Sequence, residues 1–168
     1  STLYEFTDRI TPSSTTFTAN YTLTADLFNV SGSGNITYEY IPVPNPADGL
    51  TQYKSDGTTI ISTGSWTNEG VVRLKFNISS KFNGDVLYPV VEVKPTNVAF
   101  NGTGLSTGTA YIYTGSVISA EVSISTGQGE YHWRASVFGD GGRSSWVNFA
   151  TPGTRHFGVD LSSPAVSL

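Results

Sequence analysis

Residues Gly129 to Phe149, GEYHWRASVFGDGGRSSWVNF, constrain the fold more than any other stretch of the chain. Tyr131, Trp133, Ala135 and Val137 alternate with His132, Arg134 and Ser136, the two-residue period of a strand with one buried face. Gly139-Asp140-Gly141-Gly142 follows, and glycines that accept positive φ suit a tight antiparallel reversal. Ser144 to Phe149 then reads as the return strand, bringing Trp146 to the same ribbon. Tyr131, Trp133 and Trp146 are the expected core anchors, because aromatic side chains bury the most surface per residue.

Upstream segments repeat this pattern. Val72, Leu74, Phe76 and Ile78 alternate with Arg73, Lys75 and Asn77. Leu87 to Lys94 puts Val91 and Val93 inward, with Tyr88 and Glu92 outward. Ala110 to Tyr113 makes a short strand, and Val117 to Ser125 turns Ile118, Ala120, Val122 and Ile124 inward. Thr58 to Trp66 is the expected first strand of this series, and 97–109 is an expected loop. No segment has helical periodicity. Short strands with turn signals at about 8 to 12 residue spacing predict an all-β, two-sheet antiparallel sandwich.

Tyr-x-Trp-x-Ala-x-Val, the glycine-rich turn and Ser-x-Trp-Val resemble strands F and G of a fibronectin type III-like (immunoglobulin-like) domain of secreted and cell-surface microbial proteins. The resemblance runs over about residues 50–159, through LTQYKSDGTTII, VVRLKFNIS and PVVEVKP. It implies an architecture and an extracellular habit, and assigns no active site.

Residues 1–48 lie outside the resemblance. Ser1 to Ile10 alternates Tyr4, Phe6 and Ile10 against Glu5 and Thr7. A long strand over 15–28 carries Phe17, Ala19, Tyr21, Leu23, Ala25 and Leu27 on one face. Ser31 to Gly34 is the expected turn, and 35–41 the partner strand. Ile41 to Asp48, with three prolines, reads as a linker or sheet edge. The domains are therefore 1–48, N-terminal strands, and 49–168, the sandwich. Three readings of the first part stay open: extra strands of the sandwich, the tail of a preceding repeat, or a segment inserted into a neighbouring subunit. For insertion, Leu3, Tyr4, Phe6 and Ile10 of the candidate donor strand 1–10 would fill pockets while main-chain hydrogen bonds supply affinity.

Charged residues make up only 13% of the chain, and Ser, Thr, Gly, Asn and Tyr take their place. This is the surface of an exported β-protein or an assembly subunit. The net charge of −4 argues against nucleic acid as a partner. No apolar run is long enough for a membrane-spanning helix. Without cysteine there is no disulfide, thiol nucleophile or thiolate metal site. The chain starts at Ser1 and has no methionine, as a processed chain or an excised fragment would.

Candidates for chemistry are few. His132 and His156 read as surface histidines with no nucleophile elbow nearby. Asp48, Asp56, Asp85 and Asp140 neighbour glycines or turns, their ordinary structural setting, and no calcium-loop motif links them. No catalytic residue, metal or cofactor is expected. Five Asn-x-Ser/Thr sequons, at Asn20, Asn29, Asn35, Asn77 and Asn101, are candidate N-glycosylation sites. Trp66, Tyr111 and Tyr113 are candidate sugar-stacking aromatics. The expected function is non-enzymatic: a structural subunit of an extracellular, cell-surface filament or layer, with copies of itself as partners through strand donation. The alternative is a carbohydrate-binding or adhesion module of a larger secreted protein, with polysaccharide as its partner.

Overall fold

The computed structural model describes residues 42–162 in full and the backbone of residues 16–25 and 30–39. The chain divides into two compact units, Ser1–Ile41 and Pro42–Leu168. The candidate donor strand 1–10 lies outside the described residues.

In the first unit β1 (Thr16–Ala25) and β2 (Val30–Glu39) form an antiparallel ribbon. The register pairs Phe17 with Tyr38, Ala19 with Ile36, Tyr21 with Gly34, Leu23 with Gly32 and Ala25 with Val30, so one face carries only apolar residues and glycine. Thr, Ser, Asn and Glu occupy the other. Ser31 to Gly34, expected as the turn, lies inside β2. Its glycines pair with Tyr21 and Leu23 in the ladder.

The second unit is an all-β sandwich. Its strands are β3 (Asp48–Tyr53), β4 (Ser65–Thr67), β5 (Val71–Ile78), β6 (Val86–Pro95), β7 (Leu105–Thr107), β8 (Tyr111–Ile112), β9 (Ile118–Ser125), β10 (Gly129–Gly139), β11 (Gly142–Arg143), β12 (Val147–Asn148) and β13 (Phe157–Val159). One sheet has the order β3-β5-β9. The other runs β4-β13-β10-β6-β7, with β11 and β12 also on β10 and β8 on β6. All pairings are antiparallel except β13 with β4.

A single apolar core joins the two sheets. Val72, Leu74, Phe76 and Ile78 of β5 and Ala120, Val122 and Ile124 of β9 meet Leu87, Val91, Trp133, Ala135, Val137, Phe157 and Val159. Each large side chain buried this way contributes about 1.5–3 kcal/mol. Arg73 and Lys75 of β5, on the opposite face, both bind Glu121 of β9, at 2.7 and 3.3 Å.

Local chemistry departs from the sequence expectation in several places. Residues 58–64 are not a strand. The Asp56 carboxylate accepts the amides of Thr58 and Thr59, both at 2.8 Å, and Gly57 takes a φ of 70°. This side-chain turn folds the segment back on β3, where it makes an isolated Tyr53–Ile60 bridge and no strand, so the first strand of the sheet is β3. The expected loop 97–109 contains β7. Of the expected return strand 144–149 only Val147–Asn148 (β12) pairs with β10, and β11 lies ahead of it at Gly142–Arg143. Pro89 has no amide to offer the strand beside β6, and at that point β7 ends and β8 has not begun. Residues 42–47 have no strand but pack as part of this unit. Pro42, Pro44 and Ala47 are buried, and the Asn45 amide donates to the Ser79 carbonyl at 3.0 Å.

Candidate functional site

Chemistry-bearing side chains gather on the outer face of the larger sheet, where β6 and β10 run side by side. Alternation turns Tyr88, Val90 and Glu92 of β6 outward, together with His132, Arg134, Ser136 and Phe138 of β10. Half of this face is covered by the 96–104 loop and the segment after β12. The other half is open.

Under the covered half both histidines are buried, contrary to the surface position expected for them. His156 occupies a gap in the sheet: along one side of β10 the neighbours are β13 at residues 129–131 and β12 at 134–135, with no strand between. There the Trp133 amide donates to His156 Nδ1 at 3.0 Å, and His156 Nε2 donates to the Thr151 carbonyl at 3.0 Å. His132 repeats the pattern, with Nδ1 accepting the Gly153 amide at 2.8 Å and Nε2 donating to the Val98 carbonyl at 2.9 Å. Each ring accepts a main-chain amide and is therefore the neutral Nε2–H tautomer. Burial, with His132 nearby, pushes His156 below the ordinary imidazole value against the opposing hydrogen bonds. On the core side of β10, Gln52 accepts Trp133 Nε1–H at 2.9 Å and donates to the carbonyls of Ile61 and His156. With both rings committed to backbone, the histidines form a structural network.

Glu92, expected on the outward face, lies there but is fully buried. Burial alone would raise its pKa, but the amides of Asn101 and Gly102 and the Arg134 guanidinium outweigh this and hold it below the usual carboxylate value. One carboxylate oxygen accepts those amides at 2.9 and 3.0 Å; the other accepts Arg134 Nε and Nη2 at 2.9 and 2.6 Å. The 96–104 loop is thus tethered to the sheet by a buried ion. Phe100 from this loop stacks on His132, and Arg134 lies between the Phe100 and Trp146 rings, 4.7 and 4.4 Å from their centroids. Trp146 therefore packs on the outer face, with Arg134 and Arg143, and not in the core. Trp133 is the fully buried anchor, and Tyr131 is partly buried against Phe157.

The open half is apolar. Tyr88 and Phe138 are direct cross-strand partners, 38% and 48% exposed. With Val90, Leu105, Thr107 and Arg143 they line a groove of about 540 Å³. Its far wall is β7, the end of the sheet. Gly108 donates to the Pro89 carbonyl at 2.9 Å, so in antiparallel alternation Ser106 bonds to Val91 of β6. Leu105 and Thr107 then aim their amides and carbonyls away from β6, and no described strand pairs with them. Phe138 and Leu105 were not singled out from sequence. The readable signal was Phe138 at an outward position beside the turn; β7 is too short to leave a pattern.

The three candidate sugar-stacking aromatics do not converge. Trp66 is exposed on β4, with its ring over Gly158 and Arg155 4.8 Å from its centroid. Tyr111 is half-buried on β8, and β13, β10 and β6 separate β8 from β4. Tyr113 is buried in the core cluster.

The sequons differ as sharply. Asn20 and Asn35 are direct partners on the polar face of the β1–β2 ribbon. Asn29 lies outside the described residues. Asn77 is half-buried in β5, flanked by β3 and β9. Asn101 is exposed in a loop. Among the described residues, no group of three or more His, Cys, Asp or Glu side chains is placed to hold a metal ion, and no helix is long and apolar enough to cross a membrane.

Comparison with known proteins finds no matching family model, no matching curated protein and no matching solved structure.

Proposed function

We propose that the chain is a structural, non-enzymatic module of an extracellular filament or surface layer, whose copies associate by adding a β-strand to an exposed edge. The observation carrying this reading is the edge of β7, where the main-chain groups of Leu105 and Thr107 have no strand partner among the described residues and lie beside the apolar Tyr88–Phe138 groove. An added strand gains affinity from main-chain bonds and specificity from alternate side chains seated in pockets. Residues 1–10 of a second copy have that character, with Tyr4 and Phe6 two positions apart. An exposed edge with apolar flanks otherwise invites unregulated pairing. Head-to-tail addition that does not close on itself extends into a filament. The low charge and the Thr, Ser and Asn surface agree with an exported coat protein. The sheet orders β3-β5-β9 and β13-β10-β6-β7 fit a fibronectin type III-like domain, a scaffold that tolerates many partners.

Light scattering and negative-stain microscopy of the full chain test the reading. Long particles are expected. Deleting residues 1–10, or Leu105→Lys at the exposed edge, is expected to abolish them and leave thermal unfolding of the sandwich unchanged. A monodisperse monomer at high concentration overturns the proposal.

A further inference from the structure

Asn101, Gly102 and Thr103 form a sequon in the 96–104 loop, which the buried Glu92 carboxylate holds in place. The Asn101 carbonyl oxygen Oδ1 accepts the Thr103 hydroxyl at 2.7 Å and the Thr103 amide at 3.2 Å. Lys94 Nζ donates in turn to Thr103 Oγ1 at 3.3 Å, so the hydroxyl proton is directed at Asn101. Behind them Glu92 holds the amides of Asn101 and Gly102, and Gly102 takes a φ of 76°. The outcome is a fixed bend. Oδ1 is engaged, and Nδ2 has no hydrogen-bond partner among the described residues. The residue itself is exposed.

The other sequons with a described backbone lie in paired strands. Asn20 and Asn35 are opposite one another in the β1–β2 ladder. Asn77 pairs with Asp48 on one side and Ser119 on the other, and its amide nitrogen lies 3.0 Å from where a Cβ on Gly49 would stand. Ser79, which completes that sequon, is hydrogen-bonded to Asn45 at 3.0 Å. A transferase must take an acceptor peptide out of its surroundings to reach the amide, and a central strand resists this through its ladder bonds. Asn101 is exposed in a loop, where no ladder bond has to open.

We infer that Asn101 is an N-glycosylation site that the folded protein presents to an oligosaccharyltransferase using a lipid-linked oligosaccharide diphosphate. In the transfer, Asn101 Nδ2 forms a bond to the sugar anomeric carbon. The bond from that carbon to the diphosphate oxygen breaks, and the lipid diphosphate leaves with the electron pair. One Nδ2 proton passes to a base of the transferase. Oxidation states do not change. Thr103 positions the acceptor amide through its hydroxyl, and the Glu92 carboxylate positions the loop. This inference shares only export with the filament reading: a monomer modified at Asn101 would sink the one and keep the other.

The test incubates the full folded chain with a solubilised oligosaccharyltransferase and its lipid-linked oligosaccharide, then reads site occupancy by peptide mass spectrometry. The same chain, denatured beforehand, serves as the control. Glycan is expected at Asn101 and not at Asn77 of the folded chain, with Asn77 becoming an acceptor after denaturation. Thr103→Ala is expected to abolish transfer to Asn101 and Thr103→Ser to retain it. A bare Asn101 on the folded chain overturns the inference, whether or not the denatured chain is modified. So does equal occupancy of Asn77 and Asn101 on the folded chain.

Discussion

His156 serves as a missing piece of strand, because its ring accepts the one Trp133 amide that neither β12 nor β13 reaches. His156→Ala leaves that amide buried without an acceptor and opens a cavity. The expected loss is about 2–4 kcal/mol in chemical denaturation. The ring also makes stability depend on pH. Its folded pKa lies below the ordinary 6.5, so the unfolded chain binds the proton first. Stability is then full above about pH 6.5 and falls as the pH drops below it. Urea midpoints between pH 7.5 and 5.5 should fall in the native protein, and a flat profile would contradict the assignment. Glu92 adds a second acid limb, since its depressed pKa means stability is lost as pH falls below about 4.5. Glu92→Ala strands the Arg134 guanidinium and two loop amides, and should cost about 3–5 kcal/mol. None of this was legible in the sequence. Strand alternation places His132 and Glu92 outward, and they are outward; what it cannot reveal is that the 96–104 loop folds back to cover that face.

At the scale of elements, the inward residues of β5, β6, β9 and β10 were readable, because a sheet with one buried face imposes a strict two-residue period. Strand breaks were not. Whether 58–64 pairs or turns depends on the Asp56 carboxylate capping two amides, and β7 is a three-residue strand with mixed side chains. The parallel pair of β4 and β13 hides a further dependence. Gly158 faces Trp66, and an added Cβ would sit 2.4 Å from the indole. Gly158→Ala should therefore destabilise by about 1–3 kcal/mol through overpacking. Trp66→Ala in the same chain should recover most of that loss, a coupling that a double-mutant cycle measures directly. Additive losses would show that the indole does not occupy the space above Gly158.

For the molecule as a whole, the core cluster draws on residues from Ala47 to Val159, and every sandwich strand lies after Pro42. A chain beginning at Pro42 should fold cooperatively, with a melting temperature within a few degrees of the full chain; failure to fold would assign the sandwich a need for its first 41 residues. The prolines of 42–47 could not by themselves say that this segment packs with the second unit. The hold that Glu92 has on the 96–104 loop carries a different consequence. It grips main-chain amides, which every residue but proline supplies, and asks little of the side chains they belong to. Exposed residues of this loop can therefore change without losing that footing, except Gly102 with its φ of 76°, while Phe100 stays tied to His132 and Arg134. The domain carries a ready cassette for diversification, where new surface chemistry can be displayed on a frame that does not have to be redesigned to bear it.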